Sequence, residues 1–381
     1  MMPQIGIDIL KEFNITKGKL LDPYCGSGSS FFSGLSCGLT EMIGFDLNPL
    51  AVLISKVKFT KLSLDVLEET KQNFRNEIFE FIKNEKNIDI KTINPPQVTN
   101  IDFWFSKEVI TNLAIVKHFI DRIKDEIVKN FFLLAFSETV RECSYTRNNE
   151  FKLYRLKEED ILDFNPDVIG FYFKKLKSLI SNYKAFYYPK LTEKVKIDIR
   201  NSEFQRTGEL FDVVLTSPPY GDSKTTVSYG QFSALSNEWL GIRNARKIDA
   251  LLIGGSKSKN IISKSVIANY VFEISKKDNK RALEVSSFYN DLGISIKKVA
   301  GGIKKGGVSI YIVGNRTVKG VQLPTDQFIA EKFEENGFKH MITYKRALSN
   351  KFMPSRNSPS NEVGKVANTM LCEYIIVCKK V

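Results

Sequence analysis

The pentapeptide Thr216-Ser217-Pro218-Pro219-Tyr220 combines chemical groups that suit one kind of ligand. It follows a mostly apolar run of β-forming residues, which predicts a buried strand that ends at the motif. Because the two prolines carry no N–H, the strand must stop there, and its last carbonyl groups are left to accept hydrogen bonds. A serine hydroxyl, a proline carbonyl and a tyrosine ring suit a planar heterocycle with an exocyclic amino group. An ordinary strand exit with a polyproline kink is the alternative interpretation.

A glycine-rich turn near the N-terminus predicts a second binding element. The short apolar segment from Lys19 to Asp22 runs into this turn, which contains Gly26 and Gly28 and precedes the start of a helix. Such a turn after the first strand of a doubly wound sheet binds a nucleotide-like cofactor, because glycine lets the backbone approach the ligand closely. Asp46 follows about 20 residues later, where an acidic residue would meet a ribose diol. NAD and ATP fit poorly, since the turn lacks the third glycine of a dinucleotide fingerprint and the Gly-Lys-Ser/Thr of a phosphate loop.

Together these motifs resemble those of a known enzyme family. Asp22-Pro23-Tyr24-Cys25-Gly26-Ser27-Gly28 and the segment Thr216 to Tyr220 are similar to the cofactor and catalytic motifs of S-adenosylmethionine-dependent DNA amino-methyltransferases. The segment from Gly44 to Ala51 is similar to the ribose-binding segment of that family. These enzymes methylate cytosine N4 or adenine N6, typically within restriction–modification systems. The resemblance covers the two ends of the chain.

The resemblance implies S-adenosylmethionine as the cofactor and a set of residues that hold it. The methionine part is wrapped by the glycine-rich turn, whose implied cofactor-binding residues are Asp22, Pro23, Tyr24, Gly26 and Gly28. Asp46 is implied to hold the ribose hydroxyls. Asn201 lies where the family has a polar residue near the adenine, and the nearby Asp198 and Ser202 are alternatives for that contact.

The catalytic residues implied by the resemblance are Ser217, Pro218, Pro219 and Tyr220. We expect the amino hydrogens of the base to go to the Ser217 hydroxyl and the Pro218 carbonyl, and the base to stack on Tyr220 after it has flipped out of the duplex. In this family Ser-Pro-Pro-Tyr usually accompanies cytosine N4, and aspartate in the serine position usually accompanies adenine N6. Cytosine N4 is therefore favoured. Many Ser-Pro-Pro-Tyr enzymes have the catalytic motif before the cofactor motif, whereas in this chain it comes second.

Two other functions stay open. Related Pro-Pro-Tyr motifs occur in RNA methyltransferases that act on the exocyclic amine of guanine. A catalytically silent DNA-binding subunit of a restriction or defence complex is the second alternative, and the intact Gly26, Gly28, Asp46 and Ser217 argue against it. Carbon-5 methylation of cytosine is disfavoured, because that reaction needs a positioned thiolate.

The composition fits a protein that meets a polyanion. The 381 residues include 56 lysines and arginines against 43 acidic residues, a formal net charge of +13. Double-stranded DNA is the expected partner, a cognate restriction endonuclease is a further partner suggested by the resemblance, and plain solubility is the alternative reason for the charge. No apolar run reaches the roughly 18 residues of a membrane span. Five cysteines without C-x-x-C spacing and two histidines predict no disulfide framework and no metal site, and we expect a cytoplasmic protein.

The motifs lie in β/α units at the two ends of the chain. We therefore expect an α/β fold in which residues 1–60 and 195–381 form a doubly wound, Rossmann-like methyltransferase sheet. Apolar residues at helical spacing fill the middle third, so residues 61–194 are predicted to form a large helical insertion and are a candidate DNA-binding and target-recognition region. Within it, Ser106 is predicted to cap one long helix that continues past Ile127.

Three further segments are candidates for contact with the substrate. Between residues 168 and 196 there are seven lysines and one glutamate, interleaved with aromatic residues, a pattern typical of phosphate contacts with stacking or of an amphipathic helix with a solvated face. The loop 221–232 is predicted to be an active-site lid. A polar stretch either reads base edges or forms a surface loop, and its residues are Arg141, Tyr145, Arg147, Asn148, Asn149 and Arg155.

Overall fold

The computed structural model describes residues 2–83, 93–147, 152–206, 208–221, 228–255, 258–347, 356–357, 367–368 and 372–381. The chain divides into two compact units. Unit 1 consists of Met1–Leu47, Lys196–Ser228 and Asp249–Val381, and unit 2 consists of Asn48–Val195 and Tyr229–Ile248. Unit 2 therefore begins before residue 61 and includes a segment that follows the Ser-Pro-Pro-Tyr motif.

Unit 1 is built on a seven-stranded sheet. Its strands, in chain order, are β1 Lys19–Asp22, β2 Glu41–Phe45, β3 Lys196–Arg200, β4 Phe211–Thr216, β5 Ile303–Val313, β6 Phe338–Ala347 and β7 Cys372–Lys380. The spatial order is β3-β2-β1-β4-β5-β7-β6. The first five strands are parallel, and β7 runs antiparallel to both β5 and β6. Two further antiparallel strand pairs join Thr317–Val318 to Val321–Gln322 and Arg356–Asn357 to Ala367–Asn368.

The strand order brings the two sequence motifs to one edge of the sheet. The chain winds outward from β1 to β3 in one direction and from β4 to β5 in the other, so the order reverses between β1 and β4. Ligands of doubly wound sheets bind at the carboxyl ends of the strands beside such a reversal. The glycine-rich turn follows β1 and the Ser-Pro-Pro-Tyr motif follows β4, so both motifs lie at this position. The α/β, Rossmann-like fold predicted from the sequence is confirmed.

Helices make up most of the remaining chain. In chain order they are α1 Pro3–Glu12, α2 Ser29–Ser36, α3 Pro49–Phe59, α4 Leu64–Lys83, α5 Ile101–Trp104, α6 Lys107–Asp121, α7 Glu126–Glu142, α8 Glu158–Leu162, α9 Val168–Asn182, α10 Tyr229–Trp239, α11 Ile248–Leu251, α12 Ala268–Lys277, α13 Asn279–Gly301 and α14 Thr325–Glu334. A π-helical turn, Tyr183–Tyr187, and the 3₁₀ turn Tyr188–Lys190 follow α9, and a further 3₁₀ turn covers Ala245–Lys247. The core of unit 1 packs apolar faces of α13 and α14 against the sheet, with Tyr289, Leu292 and Phe333 in one buried cluster with Tyr311.

The residues predicted to form a helical insertion, 61–194, lie within unit 2. Its α6 begins as expected, since the Ser106 side chain accepts a hydrogen bond from the Val109 N–H at 3.2 Å. The expectation of one continuous helix past Ile127 is wrong, because α6 ends at Asp121 and α7 begins at Glu126. The physical reason is Asp125, whose carboxylate accepts the Ile127 N–H at 2.8 Å and caps a new helix.

The segment 221–232, predicted to be a loop that acts as a lid, ends in a helix. Residues 222–227 lie outside the described part of the chain, and Tyr229 begins α10. Among the described residues, no helix combines the length and the apolar character needed to cross a membrane.

Candidate functional site

The buried carboxylate of Asp22 connects the two sequence motifs. It lies at the end of β1 and accepts hydrogen bonds from the Ser30 and Thr216 hydroxyls and from the Tyr24 N–H. Thr216 is the last residue of β4, and β1 and β4 are paired neighbours in the sheet. The hydrogen bond between Thr216 and Asp22 therefore fixes the glycine-rich turn beside the Ser-Pro-Pro-Tyr segment.

Burial also sets the electrostatics of this position. Desolvation raises the pKa of Asp22 from 3.8 to about 6, although the hydrogen bonds from Ser30, Thr216 and Tyr24 oppose the shift. The nearby Asp46 carboxylate adds a smaller contribution in the same direction as burial. Tyr24 is partly buried, its hydroxyl donates to the Ser295 hydroxyl, and burial raises its pKa. Both side chains are bonded within the protein and hold the turn in place.

The glycine-rich turn has the backbone conformation that its glycines allow. Gly26 and Gly28 have φ values of +49° and +80°, in the left-handed region that favours glycine. The Cys25 N–H bonds to the Phe45 carbonyl at 2.9 Å, and the Gly26 N–H bonds to the Asp46 carboxylate at 2.9 Å. A Cβ atom on Gly26 would meet no atom of the described chain within 4 Å, so this part of the turn borders open space.

Asp46 and Asn201 lie next to each other at the ends of β2 and β3. The Asn201 side-chain amide donates to the Asp46 carbonyl at 2.9 Å, and the Asp46 N–H bonds to the Arg200 carbonyl at 3.1 Å. The parallel pairing of β2 with β3 brings the two residues together. Asp198, an alternative to Asn201 in the sequence, forms an ion pair with Arg200.

The Ser-Pro-Pro-Tyr segment leaves β4 at the same edge of the sheet. Pro218 is buried, while Ser217, Pro219 and Tyr220 are half-buried. The Ser217 hydroxyl donates to the Tyr220 hydroxyl at 3.3 Å, and the Tyr220 hydroxyl donates to the Glu373 carboxylate at 3.1 Å. The structure thus adds Glu373 to the motif found in the sequence.

Two side chains at this edge were missed by the sequence analysis. Glu373 belongs to β7 and forms a 3.0 Å ion pair with Arg346 of β6. An acidic residue at the start of an otherwise apolar closing strand was the available signal for Glu373. Arg316 follows β5 and lies against Gly221, where a Cβ atom would fall 1.9 Å from the guanidinium. Its position shortly after the end of a buried strand was the signal for Arg316.

In unit 2, two of the arginines considered for base reading are engaged within the protein. The Arg141 guanidinium donates to the Phe232 carbonyl at 2.8 Å and lies 3.7 Å from the centre of the Phe232 ring. Partial burial lowers its pKa. Arg155 donates to the Phe103 carbonyl at 2.9 Å and pairs with Glu158. Asn148 and Asn149 lie outside the described residues. Arg141 belongs to α7 and Tyr145 is buried, so the stretch is only partly a loop, and both arginines are held by contacts within unit 2.

The basic, aromatic segment of unit 2 forms α9 and the π-helical turn. Tyr172, Leu176 and Tyr183 are buried, as expected for an amphipathic helix. Its exposed side chains include Lys174, Lys177, Lys184 and Phe186. Across the described residues of both units, no three His, Cys, Asp or Glu side chains gather in a way that could hold a metal ion.

Comparison with known proteins identifies the family. No protein-family model matches the chain. The chain is 39% identical over 404 aligned residues to the type II methyltransferase M.MvaI of Kocuria varians, and the match covers 100% of this chain and 88% of that protein.

Two solved structures are more distantly similar. TehB from Haemophilus influenzae has a TM-score of 0.32 at 8% identity, covering 99% of this chain and 62% of that one. The rRNA methyltransferase aviRa from Streptomyces viridochromogenes has a TM-score of 0.31 at 10% identity, covering 100% of this chain and 85% of that one. Scores this low support no inference about function. The whole-chain identity to M.MvaI does establish the family: this chain is a methyltransferase and belongs to the type II methyltransferases.

Proposed function

We propose that this protein is a site-specific DNA methyltransferase that transfers a methyl group from S-adenosylmethionine to the exocyclic amino group of a flipped base, with cytosine N4 favoured over adenine N6. Membership of the type II methyltransferases supports DNA as the substrate. The preference for cytosine rests on serine at position 217, where the resembling adenine-specific enzymes usually have aspartate.

One observation carries the proposal. Thr216 and Asp22 are 194 residues apart in the chain, and their side chains form a buried hydrogen bond. This bond joins a turn that suits a nucleotide-like cofactor to a segment that suits an amino-bearing heterocycle. Methyl transfer between the two needs them at one edge of one sheet, because the donor and the acceptor atom must be held within reach of each other.

The residues present fit S-adenosylmethionine. The turn at Gly26 has a left-handed backbone and borders open space, so a ligand can approach it closely without meeting another side chain of the described residues. Pro23, Tyr24, Gly26 and Gly28 would hold the methionine part, with Asp22 holding the turn, and Asp46 and Asn201 would meet the ribose and the adenine. When bound, S-adenosylmethionine supplies an electrophilic methyl group on a positively charged sulfur.

The chain's own residues prepare the amino group. The lone pair of a base amino group is delocalised into the ring, which makes the nitrogen a poor nucleophile. The Ser217 hydroxyl oxygen and the Pro218 carbonyl accept its two hydrogens, and these bonds localise the lone pair on the nitrogen. Flipping the base out of the duplex costs roughly a few kcal/mol, and stacking on Tyr220 offsets part of that cost.

Unit 2 is proposed to contribute DNA binding. The exposed Lys174 and Lys177 lie on α9, and Lys184 and Phe186 lie in the π-helical turn, so cations and an aromatic ring are available together for phosphate contacts and stacking. Residues 61–194 are therefore the proposed DNA-binding and target-recognition region. A cognate restriction endonuclease is the proposed partner, and the proposed substrate implies a cytoplasmic location.

Mass analysis of methylated nucleosides tests the proposal. Duplex DNA and structured RNA are each incubated with the protein and methyl-labelled S-adenosylmethionine, and the nucleosides are separated. We expect N4-methylcytosine from DNA, a strong loss in Ser217→Ala, and unchanged activity in Ser275→Ala, the same substitution at a helical serine of α12. N6-methyladenine alone would overturn the base assignment, and N2-methylguanine from RNA would support the RNA alternative. Absence of saturable S-adenosylmethionine binding would support a silent subunit.

A further inference from the structure

The geometry points to Glu373 as a positioning residue that sets the direction of the hydrogen bonds at Ser217, so that the site accepts a base amino group and rejects a carbonyl group in its place. This inference rests on the proposed function. It adds a residue of the last strand to the site and assigns to that residue the discrimination between hydrogen-bond donors and acceptors.

The contacts form a chain of four side chains within unit 1. The Ser217 hydroxyl lies 3.3 Å from the Tyr220 hydroxyl, which lies 3.1 Å from one carboxylate oxygen of Glu373. The other carboxylate oxygen accepts from the Arg346 guanidinium at 3.0 Å. Glu373 and Arg346 are direct cross-strand neighbours in the register of β7 and β6. The sheet therefore fixes the Glu373–Arg346 end of this series of hydrogen bonds.

The direction of each hydrogen bond in this series follows from the number of protons that each group carries. A carboxylate can only accept, and a guanidinium can only donate. The single proton of the Tyr220 hydroxyl therefore goes to Glu373, and the phenol oxygen accepts on its other side. The single proton of the Ser217 hydroxyl then goes to Tyr220. Only lone pairs of the Ser217 oxygen are left to face a bound base.

This polarity determines which group can lie against Ser217. An amino group presents hydrogens, and the lone pairs of Ser217 accept one of them. A ring carbonyl presents lone pairs of its own, which face the Ser217 lone pairs without a proton between them. Leaving polar groups unpaired in this way is how a built site rejects an analogue that lacks the required hydrogen. Cytosine and uracil differ at C4 in this manner.

Glu373→Gln reverses the polarity without changing the size of the side chain. Because Arg346 has only donors, the carboxamide oxygen turns towards Arg346 and the NH₂ group turns towards Tyr220. The phenol must then accept from Gln and donate to Ser217, and the Ser217 proton turns towards the base. Tyr220→Phe removes the connection altogether while keeping the ring that stacks on the base.

The experiment starts from wild-type methylation of DNA and the mapped target position. Steady-state kinetics and binding are measured with duplexes that carry cytosine or uracil at that position. For Glu373→Gln we expect kcat to fall about tenfold, the equivalent of one lost hydrogen bond, and the preference for binding cytosine over uracil to fall by a similar factor. The Kd for S-adenosylmethionine should not change. Tyr220→Phe should erode the preference as well, and adding Glu373→Gln to it should have no further effect.

Glu284→Gln is the matched control, because Glu284 forms a comparable, mostly buried ion pair with Arg281 on α13. It is expected to change thermal stability and to leave the cytosine preference intact. The inference is overturned if Glu373→Gln keeps the wild-type preference, or if the losses in Tyr220→Phe and Glu373→Gln multiply in the double variant. Should Glu373→Gln fail to fold, a wild-type preference in Tyr220→Phe would overturn it equally. A wild type that methylates no nucleic acid would refute the proposed function itself.

Discussion

Asp22→Asn is expected to stabilise the protein at neutral pH, although it changes a residue of the cofactor motif. The buried carboxylate pays a desolvation penalty that raises its pKa from 3.8 to about 6. Asparagine has the same shape and carries no charge. Its oxygen can keep the Tyr24 N–H and Thr216 bonds, and its NH₂ group can donate to the Ser30 hydroxyl once that hydroxyl rotates. The hydrogen bonds are therefore kept and the buried charge is removed.

The size and the sign of the stability change in Asp22→Asn follow from the pKa of Asp22. Between pH 3.8 and about 6 the folded protein holds a proton on Asp22 that the unfolded chain has released, so stability falls as the pH rises through this window. A shift of roughly two units corresponds to about 3 kcal/mol. The variant does not experience this loss. Its gain in the free energy of unfolding should thus approach about 3 kcal/mol above the folded-state pKa and vanish in acid.

Urea denaturation followed by circular dichroism, repeated between about pH 4 and pH 8, measures this difference. Asp212→Asn is the control with the opposite sign. Partial burial raises the pKa of Asp212, but hydrogen bonds from the Lys19 N–H and the Lys304 ammonium outweigh burial and lower it. Asp212→Asn should be less stable than the wild type at neutral pH, and the two proteins should become equally stable in acid. A stability difference for Asp22→Asn that stays constant with pH, or a variant less stable at pH 8, would refute the reasoning.

Three further experiments, each with a control or comparison variant, probe other parts of the molecule. Asp46→Ala removes the acceptor of the Gly26 N–H and the proposed ribose contact. The Kd for S-adenosylmethionine, measured by calorimetry, should therefore rise at least about tenfold. Asp8→Ala, on the exposed face of α1, should leave that Kd unchanged. Gly44→Ala would bring a Cβ atom to 2.3 Å from the Phe31 ring and should lower the free energy of unfolding by about 1–3 kcal/mol. Gly293→Ala lies inside α13 with its nearest contact at 3.6 Å, and it should raise the melting temperature because alanine favours a helix over glycine. Combined replacement of Lys174, Lys177 and Lys184 by alanine should reduce the slope of log K against log salt for DNA binding by up to about three, and the charge-matched replacement of Lys276, Lys277 and Lys280 should not.

Much of the fold could be predicted because its signals are local. The apolar segments that end at Asp22 and Thr216 became strands, and a serine at position 106 capped a helix as its side-chain chemistry requires. The break between α6 and α7 was missed, because the apolar spacing continues across it and only the Asp125 cap interrupts the helix. The roles of Arg141 and Arg155 could not be predicted either, since their partners Phe232 and Phe103 are distant in the chain.

The sequence by itself determined the chemical groups of the site. Glycines that permit a left-handed turn, prolines that end a strand, and a serine, a carbonyl and a tyrosine in five residues are properties of neighbouring positions. Only the tertiary structure decided how these groups act on one another. Strand order and register brought Thr216 to Asp22 and Glu373 to Tyr220, across 194 and 153 residues of chain. The surrounding burial raised the pKa of Asp22, because desolvation depends on every atom packed around the carboxylate and not on its neighbours in sequence.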